Sequence, residues 1–160
     1  MKYSSKEIVD MAVKIEDTGY AFYTACAAKF ESHSKKAAGT FSILASEELK
    51  HRKYFQSVLS SVASREGVFD DTYYAYLQAL TQVQVFKDAS DITKVLASVT
   101  TVNDVLSIAL QTEKDSIIWY KELTSFYSAA DGETLEILDN LINEEKRHIV
   151  LIYDMMKDNG

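Results

Sequence analysis

The sequence predicts an all-α fold, a four-helix bundle built from two helical hairpins. Three observations predict it. The chain of 160 residues contains no proline, the residue that breaks helix interiors. Four stretches carry apolar residues at steps of three and four, the spacing of one buried helix face. The chain also repeats itself. Leu44-Ala45-Ser46-Glu47-Glu48-Leu49-Lys50-His51 returns as Leu141-Ile142-Asn143-Glu144-Glu145-Lys146-Arg147-His148, an offset of 97 residues. The same offset carries Glu16 onto Glu113 and Tyr23 onto Tyr120. Each half therefore reads as a hairpin with a Glu on its first helix and a Glu-x-x-His on its second.

The first helix is expected from near Ser4, where Ser4 and Glu7 match a capping box, to about Glu31. Ile8, Met11, Ile15, Phe22 and Cys26 form its stripe, with Glu16, Gly19 and Tyr23 beside them on the inward arc. Gly19 costs a helix interior about 1 kcal/mol relative to alanine; a close approach to its backbone would account for it. A short link over 31–36 makes the second helix an antiparallel neighbour. That helix runs to about Ser64 with the stripe Phe41, Leu44, Glu48, His51, Phe55 and Val58.

Residues 65–101 are a crossover with weaker patterning, interrupted by Gly67. Short helices are expected from Thr72 to about Val83, capped by Asp70 or Asp71, and from Asp91 to Ala97, capped by Ser90. Tyr73, Tyr74, Tyr76, Leu77 and Leu80 need an apolar partner, either the bundle's flank or end, or a second copy of the chain. The third long helix starts after Thr101, with Asp104 in its first turn at the positive end. Val105, Ala109, Thr112, Ser116, Trp119, Leu123 and Tyr127 face inward, and the helix ends near Ala130. Asp131 caps the fourth, which runs from Gly132 to about Asp158 with the stripe Leu138, Leu141, Glu145, His148, Ile152 and Met155. No linker separates the halves. The chain, 1–160, reads as one domain with hairpins at about 4–64 and 102–158.

A net charge of -7 argues against nucleic acid, which needs a basic face. The lone cysteine, Cys26, excludes an intrachain disulfide or a four-cysteine metal knuckle. No run approaches the roughly eighteen apolar residues of a membrane span, and residues 1–10 lack a signal-peptide pattern. A cytoplasmic protein with neither membrane nor nucleic-acid partner is expected.

Residues i and i+3 share one side of a helix, so Glu48 with His51, and Glu145 with His148, can reach a common centre with Glu16 and Glu113. Four carboxylates in one core repel each other and lose hydration. Two divalent cations would cancel their charge. Carboxylate plus imidazole suits iron or manganese, in centres roughly 3.5–4 Å apart, with glutamates bridging and each histidine capping one ion. Glu47 and Glu144 repeat too, but sit about 100° round the helix, either in solvent or behind the ligands. Tyr23 and Tyr120 lie two turns beyond Glu16 and Glu113, placed to hydrogen-bond ligand carboxylates or to relay electrons. His33 reads as a surface histidine, and Asp139 and Asp154 as solvent-facing.

The runs Ile15-Glu16 to Phe22-Tyr23, Glu48-Leu49-Lys50-His51, Glu113-Lys114 to Trp119-Tyr120 and Glu145-Lys146-Arg147-His148 resemble the rubrerythrin branch of the ferritin-like superfamily. The resemblance covers the chain apart from the crossover. It implies a ferritin-like bundle in which Glu16, Glu48, His51, Glu113, Glu145 and His148 bind two iron ions, with manganese or zinc as substitutes. The chain departs from the family in two ways. Rubrerythrin proper has a second glutamate three residues after the third-helix ligand, where this chain has Ser116; Gly19 offers no substitute. Rubrerythrin proper also carries a four-cysteine rubredoxin domain, so here electrons must come from a separate electron-donor protein or a small reductant. The implied activity is a di-iron oxidoreductase reacting with hydrogen peroxide or dioxygen, in a homodimer. The alternatives are a ferroxidase that handles iron and a non-enzymatic, metal-stabilised interaction module.

Overall fold

The computed structural model describes residues 5–62, 71–82, 86, 89–126 and 132–158. Every regular element among them is helical: α1 (Ser5–Phe30), α2 (Lys35–Val62), α3 (Asp71–Gln82), α4 (Ala89–Ser98), α5 (Val102–Phe126) and α6 (Gly132–Asp158). α1 packs along α2 and α5 along α6, which are the two hairpins; α1 also meets α5, and α2 meets α6. This is the ferritin-like four-helix bundle.

Local chemistry sets the ends. The Phe30 carbonyl accepts from the amides of His33 at 3.0 Å and Ser34 at 2.8 Å, closing α1. The Ser34 hydroxyl then accepts from the Ala37 amide at 3.2 Å. This serine cap starts α2 at Lys35, inside the stretch read as linker. At α5, the Thr101 hydroxyl accepts from the Asp104 amide at 3.1 Å, and the Asp104 carboxylate accepts from the Thr101 amide at 2.9 Å. This reciprocal cap places Asp104 where the sequence put it. Ser90, the expected cap, lies in the first turn of α4, which begins at Ala89. The caps assigned to Ser4, Asp70 and Asp131 lie outside the described residues, as do Gly67, Tyr127 and the side chain of Val58.

The bundle interior has three layers. One apolar layer holds Phe22, Phe30, Phe41, Leu44, Leu106 and Ile152. The other holds Ile8, Phe55, Trp119, Leu123, Leu138 and Leu141. In each long helix the inward polar residues fall between the two: Glu16 on α1, Glu48 and His51 on α2, Glu113 and Ser116 on α5, and Glu145 and His148 on α6. All seven are buried. The repeat thus stacks into a single polar slab with apolar packing above and below.

The crossover covers the flank. α3 packs on α5 and α4 on α1, with Leu77 fully buried in the second apolar layer. The Tyr73 hydroxyl donates to the Glu122 carbonyl at 2.7 Å, and Lys29 Nζ donates to the Leu96 carbonyl at 2.9 Å. The Phe86 ring lies 4.7 Å from that of Phe22. Tyr76 stays exposed, so not every tyrosine of the crossover is used in covering the bundle.

Candidate metal centre

The slab brings the six sequence-selected residues into two overlapping groups. Glu16, Glu48, His51 and Glu145 form one; Glu48, Glu113, Glu145 and His148 form the other. Within each group, one potential ligand atom per residue lies within 4.8 Å of the rest. Glu48 and Glu145 belong to both. Each is the Glu of a Glu-x-x-His, so α2 and α6 supply the shared carboxylates while α1 and α5 supply one terminal carboxylate each. Both rings turn Nδ1 inward. His51 Nδ1 is 3.4 Å from Glu16 Oε2 and 3.3 Å from Glu145 Oε1. His148 Nδ1 is 2.9 Å from Glu145 Oε2 and 3.4 Å from Glu113 Oε2.

Glycine at position 19 has a local reason. A Cβ there would stand 3.0 Å from both Cδ and Oε2 of Glu48. The carboxylate of α2 occupies the space that any side chain on this turn of α1 would fill. Gly19 and Ser116 also border a cavity of about 10 Å³ with Ile15, Thr18, Phe86, Thr112 and Asp115, room for about one water. Ser116 does not extend the ligand set; its hydroxyl donates to the Thr112 carbonyl at 3.3 Å.

The two tyrosines are not equivalent. The Tyr23 hydroxyl donates to Glu113 Oε1. The Tyr120 hydroxyl is buried with no hydrogen-bond partner among the described residues; it packs against Phe55 and Trp119. Tyr120 therefore makes none of the expected hydrogen bonds to a ligand carboxylate, and both Glu16 oxygens are without a hydrogen bond among the described residues. His33, Asp139 and Asp154 are exposed, as their positions implied. Sequence reasoning passed over Phe86, which sits outside any helical repeat and so gave no periodic signal.

The electrostatics show what this donor set lacks. Burial, then the charge of Glu145, push Glu16 well above the usual carboxylate range. The same two causes raise Glu48 and lift Glu113 to about 8. Glu145 goes the other way: burial opposes its ionisation, but the His148 and His51 rings outweigh burial and hold it below the usual range. Burial pulls the histidines down, yet the surrounding carboxylates raise His51 to about 9 and His148 to about 10. Without cations, the slab balances its charge with protons.

Both oxygens of Glu16, both of Glu145 and Nδ1 of His51 are buried without a hydrogen bond among the described residues. All but Glu16 Oε1 stand instead in carboxylate–imidazole ion pairs of 2.9–3.4 Å. Four buried carboxylates and two imidazoles gathered in two overlapping groups of hard oxygen and nitrogen donors fit a pair of divalent metal ions.

A four-helix bundle with two carboxylate–histidine groups sharing two carboxylates defines the dinuclear, di-iron type of metalloprotein. The rubrerythrin family model matches residues 7–100, more than half of the chain, and the chain belongs to the rubrerythrin family. That match covers the first hairpin and the crossover; the second hairpin joins through its internal repeat and the shared geometry. An uncharacterized protein of Archaeoglobus fulgidus is 39% identical over 54 residues, 34% of this chain and 81% of that relative. No solved structure matches the chain. Family and clusters together mark a redox-active di-iron site and an oxidoreductase. No helix among the described residues is long and apolar enough to cross a membrane.

Proposed function

We propose that Glu16, Glu48, His51, Glu113, Glu145 and His148 hold two iron ions, and that the chain, as one domain over 1–160, reduces hydrogen peroxide. The observation that carries this reading is the sharing of Glu48 and Glu145 between the two groups. Peroxide takes up two electrons and two protons, its O–O bond breaks, and two waters leave. When bound, the iron pair supplies those two electrons, one from each ion.

The residues of the chain do the rest. Glu48 and Glu145 would be shared by the two ions, with Glu16 and His51 holding one and Glu113 and His148 the other. Tyr23 holds Glu113 Oε1, which leaves Oε2 toward His148. Gly19 gives the Glu48 carboxylate its space. The apolar layers on both sides keep bulk water out of the slab. Electrons come from a separate donor protein or a small reductant. A homodimer and a cytoplasmic setting belong to the same reading.

The test is an anaerobic Fe(II) titration followed by rapid mixing with hydrogen peroxide and, separately, dioxygen, read by near-ultraviolet absorption. Two irons per chain and faster oxidation by peroxide are expected. Faster oxidation by dioxygen, with continued turnover of added Fe(II), would make the protein a ferroxidase. No iron uptake would overturn both.

A further inference from the structure

The two halves of the site are held differently from behind. The 97-residue repeat sets Glu47 against Glu144, Lys50 against Arg147 and His51 against His148. A symmetric bundle would give each histidine an outer carboxylate from the facing helix. His51 has one: its Nε2 lies 2.7 Å from Glu144 Oε2, and the other Glu144 oxygen is ion-paired with Arg147 Nη2 at 3.1 Å. His148 has none. Glu47 accepts from Lys50 Nζ at 2.6 Å, and the hydrogen bond and ion pairs of His148 all run through Nδ1.

We propose that Glu144 is a positioning residue for His51 that makes the two metal positions unequal, the Glu16–His51 position being the tighter. This rests on the dinuclear reading above. A metal-binding imidazole is neutral and offers a lone pair on one nitrogen. The proton must then sit on the other. Glu144 accepts that proton's hydrogen bond on Nε2, which keeps the lone pair on Nδ1, the nitrogen turned toward Glu16 and Glu145. It also holds the ring plane and makes the ring a better donor. Arg147 steadies Glu144 in turn. The ring is 2% exposed and the Glu144 side chain 37%, so the contact spans the boundary between slab and surface. It opens on a cavity of about 550 Å³ at the α2–α6 seam, lined in part by Lys50, Tyr54 and Arg147. Glu47 borders the same cavity but is turned to its own helix.

The experiment is an anaerobic Co(II) titration of metal-free protein, followed by visible absorption, on the wild type, Glu144→Ala, Glu144→Gln and Glu47→Ala. The wild type takes up two ions in two resolved steps. Glu144→Ala weakens the tighter step by roughly 10- to 100-fold, the usual range for loss of such an outer partner. Glu144→Gln, whose amide oxygen still accepts from Nε2, recovers most of that loss. Glu47→Ala titrates like the wild type. Because Glu144 reaches the surface, its truncation leaves the metal-free protein folded, and a single cooperative metal-free melting transition checks this. The proposal is overturned if Glu144→Ala keeps both steps, if Glu47→Ala weakens binding as much, or if Glu144→Gln recovers nothing. A wild type that takes up no cobalt overturns the dinuclear reading and this inference together.

Discussion

Gly19 separates the demands of folding from those of metal binding. Replacing a mid-helix glycine with alanine ordinarily stabilises by about 1 kcal/mol. Here the new methyl would press on the Glu48 carboxyl at 3.0 Å, the far end of a flexible side chain that can swing away. Gly19→Ala should therefore leave the metal-free protein as stable or more stable in urea, while weakening both metal positions, because Glu48 belongs to both groups. Loss of stability with normal metal binding would contradict this. The tyrosines offer a second contrast. Tyr23→Phe removes the donor to Glu113 Oε1 and should cost about 1–3 kcal/mol in denaturant melts. Tyr120→Phe removes a hydroxyl without a partner among the described residues and should be neutral or stabilising. Equal losses would contradict the asymmetry. The repeat made the two tyrosines look interchangeable; only three-dimensional packing distinguishes the one that meets a carboxylate from the one that meets rings.

Among the elements, the four long helices were legible in the sequence because each buries one stripe along its whole length. Periodicity located Glu48, His51, Glu145 and His148 on those stripes and Glu16 and Glu113 immediately beside them, and all six are buried. The short crossover helices were harder to read. α4 is ten residues long, too short for a stripe to fix its start, which lies at Ala89 rather than at the expected Asp91. Phe86 is in no helix, and its burial follows from where α1 runs, which local sequence does not encode. Glu144 was legible only as a position off the stripe. Its bond to His51 depends on α6 lying beside α2, a tertiary fact. The crossover's packing is itself testable. Leu77 is fully buried with Ile8 and Trp119, so Leu77→Ala should cost about 2–5 kcal/mol in one cooperative unfolding transition shared with the bundle. Two transitions, or no loss, would mean that the crossover is not part of the same core.

For the whole molecule, the slab couples stability to pH and to metal. Folding raises His51 to about 9 and His148 to about 10 from an ordinary 6.5. Their contribution is complete below pH 6.5 and is lost as pH rises through 9 to 10. Glu113, raised from 4.5 to about 8, acts in the same direction between those values, as do Glu16 and Glu48 over windows that begin at 4.5. Glu145, held low, has the opposite sign, but its window lies below pH 4.5. Above pH 6.5 only the losses operate, so the metal-free protein should melt at progressively lower temperature up to pH 10. Metal ions reverse the balance. They bind ionised carboxylates and neutral imidazoles, displace the protons, and bind more tightly as pH rises. They also favour the folded state by mass action. The gap in melting temperature between metal-loaded and metal-free protein should therefore widen from pH 6.5 to pH 9. Scanning fluorimetry in matched buffers, with and without Fe(II) under argon, would measure it. A gap that stays constant would mean that the four carboxylates and two histidines do not exchange protons for cations, and that the slab is a buried polar network rather than a metal site.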